Sequence, residues 1–198
     1  MSWNTARTAG LAVLLTLLVL LVGGLLYVYA GAYNVAATQD HTALGRWVLS
    51  TGQQRSVAVR ARELSEPPPV DADMLDHGFE HFRAMCVECH GAPGVGRGEI
   101  GKGLTPTPPE LSEEAGEWSA KELFWITKHG IKMAGMPAFG PTHSDGEIWG
   151  LVAFLQELDG MTAEEYARWE ARFAPAPGDT AAASSGHPHA PGTPDHSH

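Results

Sequence analysis

Cys86-Val87-Glu88-Cys89-His90 is the stretch on which the reading of this chain turns. Two thiols three residues apart on one helical turn reach the two vinyl groups along one edge of a porphyrin. The residue that follows then lies under the ring, with its imidazole available to iron. A C-x-x-C-H pentapeptide therefore reads as a covalent haem attachment site, with Cys86 and Cys89 forming thioethers and His90 the proximal ligand. The competing readings of C-x-x-C are a redox dithiol, a disulfide and half of a zinc site. A zinc site needs two further ligands at suitable spacing, and the 198 residues contain no third cysteine. A thioredoxin-like dithiol needs a βαβ context that the flanking sequence lacks.

Working outward toward the N-terminus, no charged residue lies between Arg7 and Asp40, and Leu11 to Tyr29 is almost all Leu, Val, Ala and Gly. A helix of about 20 apolar residues rises roughly 30 Å, enough to span the hydrocarbon core of a bilayer. Trp3 near one end and Tyr27, Tyr29 and Tyr33 near the other have the placement of interfacial anchors. Ala30-Gly31-Ala32 has the small-residue pattern of a signal cleavage site. The apolar run, however, is longer than a signal core of about 7–15 residues, and only Arg7 precedes it, so a retained anchor is expected. The expected division is a cytoplasmic stub over 1–8, a transmembrane helix over 9–32, juxtamembrane helices and a Pro-rich linker over 33–69, a haem domain over 70–173 and a disordered His-rich tail over 174–198. Arginines on both sides leave the positive-inside count undecided. Haem ligation occurs outside the cytoplasm, which puts the haem domain in the periplasm, anchored to a bacterial inner membrane.

Residues 40–64 read as two short helices. Asp40 or Thr42 caps the first, Leu44, Trp47 and Val48 make one apolar stripe, and Gly52 ends it. The second, about Gln53–Leu64, carries Arg55, Arg60 and Arg62. This pattern suits a membrane or partner surface as well as it suits a solvated spacer. Pro67-Pro68-Pro69 then forms a stiff extended boundary.

Inside the haem domain, apolar spacing predicts a helix over Asp71–Met85 that runs into the pentapeptide, and Gly91–Pro109 reads as a Gly- and Pro-rich loop. Ser119 with Glu122 and Gly130 marks a helix over 119–130; Ile131–Pro141 is a loop. Ser144 opens a strongly apolar helix over Glu147–Leu158, and Thr162 with Glu165 caps a short one over 162–173. In the Ala-, Pro-, Ser- and His-rich tail, His187, His189, His196 and His198 are candidate transition-metal ligands only if a framework orders them. The formal net charge of −10 resides mainly in residues 70–172, which argues against nucleic acid as a partner.

These residues resemble a known family, the monohaem class I c-type cytochromes, and especially the membrane-anchored domains associated with respiratory oxidases. The resemblance covers about residues 71–159. It rests on Gly78 and Phe82 before Cys86, on Cys86 to Gly91, on Gly135-Met136-Pro137-Ala138-Phe139-Gly140, and on Glu147 to Leu155. It implies an all-α fold holding one haem c, bound through Cys86 and Cys89, with first and last helices crossing near-perpendicularly at Gly78 against Leu151 and Phe154. It also implies Met136 as the sixth ligand, a soft neutral donor that raises the reduction potential and closes the iron to oxygen. Met133 is the main rival, with His129 and His143 weaker ones. A carbonyl of the Gly101–Pro106 loop is expected to accept from His90 Nδ1, and Trp118, Trp125 and Trp149 are expected to pack the pocket or the helices.

The implied function is single-electron transfer between membrane-bound or periplasmic redox proteins, by a free-standing carrier or as a subunit of a larger oxidase or dehydrogenase. Non-enzymatic electron transfer is favoured because a peroxidase or nitrite reductase needs an open sixth position with distal acid–base groups, or a second haem. A haem sensor needs a cytoplasmic output domain, for which the short segment before the span has no room.

Overall fold

A computed structural model describes residues 3–174. Helix α1, Trp3–Tyr29, precedes α2, Ala43–Ala61, and α3, Ala72–His81. A π-helical turn, Phe82–Cys86, leads directly into α4, Val87–His90. There follow α5, Glu99–Lys102, α6, Leu111–Glu114, a 3-10 turn over Ala115–Glu117, α7, Ala120–His129, α8, Asp145–Leu158, and α9, Ala163–Arg172. No strand occurs among the described residues; two isolated bridges, Ala92 with Val95 and Ile131 with Met136, close loops. The fold is all-α. The His-rich tail expected over 174–198 lies, beyond Ala174, outside the described residues.

Helix boundaries follow from capping. Asp71 accepts from the backbone N–H of Met74 to start α3. Ser119/Glu122, Ser144/Glu147 and Thr162/Glu165 each form a reciprocal capping box at α7, α8 and α9, satisfying backbone donors that have no partner within the helix. Gly130, at φ +64°, closes α7.

The core is built where α3 crosses α8. A Cβ at Gly78 would lie 2.1 Å from the Gly150 carbonyl oxygen and 2.9 Å from Phe154 Cβ, so the two backbones touch there and only glycine fits. Phe154 is the expected opposing side chain, but the closest partner is the Gly150 backbone rather than Leu151. Around this crossing Phe79 and Phe154 meet edge to face at 5.3 Å, and Phe82 lies 5.3 Å from Phe154. Helix α9 closes the same cluster with Tyr166, Trp169 and Phe173. The fully buried Phe79, Phe82 and Phe154 each contribute about 2 kcal/mol of burial. The ion pairs Arg83–Glu170 and Arg172–Asp76 at the rim add little, being solvent-exposed. Trp149 stacks on Phe124 at 4.1 Å and so joins α8 to α7.

The two juxtamembrane helices expected over 40–64 are one. Thr42 caps α2, and the helix runs through Gly52, whose surroundings are open space. Its C-terminal half packs on α7: Val57 and Ala61 are buried, and the Arg60 guanidinium lies 5.9 Å from the Trp125 ring centroid; beyond the helix, Glu66 pairs with Lys121 of α7. Tertiary burial outweighs the roughly 1 kcal/mol that an interior glycine costs. The contact also ties the segment before Pro67–Pro69 to the segment after it. Among the described residues only α1 is long and apolar enough to cross a membrane, over Thr5–Tyr29, and none of it is buried against the rest.

Candidate haem-binding site

The site begins with the π-helical turn. One extra residue per turn between Phe82 and Cys86 re-aims the chain just before the pentapeptide, a device common at functional positions. Cys86 thereby points inward, 8% exposed, while Cys89 and His90 are half-buried. Both thiols are free. Burial pushes the Cys86 thiol up to about 12, with the neighbouring Cys89 adding to the shift, so it stays a neutral thiol rather than a thiolate nucleophile.

His90 is held from behind. Its Nδ1 lies 2.9 Å from the Pro109 carbonyl oxygen, and donation to that carbonyl leaves Nε2 as the ring nitrogen with a free lone pair. The acceptor is not in the Gly101–Pro106 loop, where it was expected. That stretch coils into α5 and its cap, and the Gly101 carbonyl receives the cap N–H of Gly103. Pro109 sits just before α6, outside any helical ladder. Burial lowers the His90 pKa, the Pro109 bond opposes that shift, and the Arg97 charge reinforces it, so the ring is biased toward the neutral form that a metal ligand requires.

Two further contacts knit the site together. A Cβ at Gly101 would come within 2.5 Å of the Cys89 carbonyl oxygen, so α5 lies directly on the pentapeptide helix. Three residues later Leu104 Cδ2 lies 2.6 Å from where a Cβ at Gly135 would stand, and Gly135 has φ +76°. The 99–104 segment thus touches the pentapeptide on one side and the 131–140 loop on the other.

Met136 is half-buried in that loop. Its carbonyl accepts from Ile131 N–H, and the Phe139 and Gly140 N–H groups bond to Thr127 and Lys128 at the end of α7. Its rival Met133 is 88% exposed at a left-handed φ of +63°. His129 is exposed, and His143 packs on His81 and Phe139.

The donor set fits a covalently bound haem. Two unpaired thiols and a back-hydrogen-bonded imidazole follow one another on a single turn. Arg97 Nε, buried and without a hydrogen-bond partner among the described residues, offers a donor to an anionic group beside His90. The zinc alternative is not met: among the described residues no three His, Cys, Asp or Glu side chains gather around one point. The Pro109 acceptor and the Arg97 donor escaped sequence reasoning, since neither carries a spacing signal.

Residues 73–155 match the family described as cytochrome C oxidase, cbb3-type, subunit III. No curated protein matches the chain. The match begins in α3 and ends in α8, leaving α1, α2 and α9 outside it. On the strength of that match and of the helical fold around the pentapeptide, this part of the chain is a c-type cytochrome domain of the oxidase-associated type.

Proposed function

We propose that the chain carries single electrons between respiratory redox proteins through one haem c, attached at Cys86 and Cys89 and ligated by His90 and Met136. Bound there, the haem supplies an iron that cycles between two oxidation states. The observation that carries the reading is the Pro109 bond to His90 Nδ1, which fixes one tautomer and one ring orientation immediately after two free thiols. Arg97 supplies positive charge beside the imidazole, and the loop bonds of Ile131, Phe139 and Gly140 hold the backbone around Met136. A site closed on both faces transfers electrons without bond chemistry. Helix α1 acts as a retained anchor in a bacterial inner membrane, with the haem domain on the periplasmic side.

A second reading, a haem-bearing subunit of a larger oxidase or dehydrogenase, is favoured by the family match, whose description is itself that of an oxidase subunit. Met136→Ala tests the ligation: the variant should lose the charge-transfer band of methionine-ligated ferric haem and bind carbon monoxide when reduced, while Met133→Ala keeps the wild-type spectrum. The reverse pattern would move the sixth ligand to Met133.

A further inference from the structure

The N-terminal half of α2 exposes apolar side chains that the haem domain does not use. Leu44, Trp47 and Val48, at i, i+3 and i+4, are 70%, 64% and 52% exposed. At about 100° per residue this stripe lies roughly a third of a turn around the helix from Val57 and Ala61, which face α7. Helix α2 also carries Arg46, Arg55 and Arg60 and no acidic residue, in a chain whose formal charge is −10. By the same angular count Arg55 continues the stripe on its own side of the helix.

The tether restricts where this face can be. Helix α1 ends at Tyr29, and the chain is next fastened to the haem domain at Ala37, whose carbonyl accepts from the Thr105 hydroxyl. Eight residues span at most about 28 Å. A few residues further on, α2 begins. With α1 in a bilayer, a basic helix edged with leucine, tryptophan and valine is therefore kept close to the headgroups. Apolar burial and attraction to anionic lipid both favour its lying there.

We propose that the N-terminal half of α2 docks on an anionic bilayer surface, with Leu44, Trp47 and Val48 inserted and Arg55 among the headgroups. The C-terminal half stays clamped on α7. Helix α2 then fixes the haem domain in one orientation above the membrane instead of letting it swing on its tether. This rests on the reading of α1 as a retained span.

The test uses the full haem-loaded chain in phosphatidylcholine–phosphatidylglycerol vesicles whose acyl chains carry bromine. The emission lost in Trp47→Phe isolates the Trp47 signal, and brominated lipid should quench it by about twofold or more, as for an indole at the acyl boundary. A Leu44→Glu/Val48→Glu double variant should abolish the quenching. Where the haem dims the emission, broadening of the Trp47 indole N–H resonance by spin-labelled lipid gives the same comparison. Flotation with the vesicles after alkaline carbonate reports α1 separately. A chain that floats with an unquenched Trp47 overturns the docking of α2 and leaves the anchor standing. A chain that does not float overturns the anchor and this proposal with it. Shielding of Trp47 only in native membranes assigns the face to a protein partner and also overturns the lipid proposal.

Discussion

Replacing Gly78 with alanine perturbs the α3–α8 crossing on which the site is mounted. The new Cβ would stand 2.1 Å from the Gly150 carbonyl oxygen, so the helices must part by about 1 Å to restore an ordinary contact. A gap of that size forfeits a quarter to a half of each dispersion well across the interface, here among Phe79, Phe82 and Phe154. Overpacking of this kind costs about 1–3 kcal/mol or more, against a gain of about 0.5–1 kcal/mol for alanine in a helix. The expected net loss is about 2 kcal/mol, a fall in melting temperature of roughly 10 °C for a domain of this size. Thermal unfolding followed by far-ultraviolet circular dichroism, with the Soret band recorded alongside, measures it. Two companions grade the argument. At Gly150 a Cβ would sit 3.1 Å from the Met74 carbonyl oxygen, so Gly150→Ala should be near neutral. Gly52 has open space around it, so Gly52→Ala should stabilise. A Gly78→Ala protein that melts at or above wild type, or above Gly150→Ala, would refute the account of the crossing.

Two other predictions follow from charge. The Ser144 side chain and backbone bonds hold the Glu147 carboxyl below its usual value of 4.5. Its folded pKa is depressed, so its contribution is present above pH 4.5 and lost as pH falls through the folded value. Glu147→Gln should therefore melt below wild type at pH 7, with the gap closing under acid; a gap independent of pH in melting curves would remove the capping carboxylate from the explanation. The acidic haem domain should be reduced by a basic redox protein at a rate that falls as salt rises, since screening shortens the reach of its charge to about 10 Å at 0.1 M. A stopped-flow rate flat across ionic strength would eliminate the electrostatic part of partner docking.

Much of this architecture is visible in the sequence because it is carried by local chemistry. Ser119, Ser144 and Thr162, each followed three residues later by glutamate, announce helix starts that the structure reproduces. The pentapeptide points to covalent haem by its spacing alone. What escaped is what tertiary contact decides. Gly52 reads as a helix stop, yet Val57 and Ala61 gain enough burial on α7 to carry α2 through it. Gly78 is legible as a close approach, but the Gly150 backbone as its partner is not. Helices α5 and α6, four residues each, are too short to show a period, so nothing in the sequence separates the Pro109 carbonyl that holds His90 from those of the Gly101–Pro106 loop. The π-helical turn before Cys86 has no compositional mark.

The proposed function rests on a haem joined covalently to Cys86 and Cys89. Intact-mass measurement of the purified chain, expressed with a working haem-ligation apparatus, tests this most directly. The account predicts a polypeptide heavier by one haem, which acid–acetone does not extract and which Cys86→Ala/Cys89→Ala lacks. A mass equal to the polypeptide alone, or colour that leaves with the acetone, would contradict it.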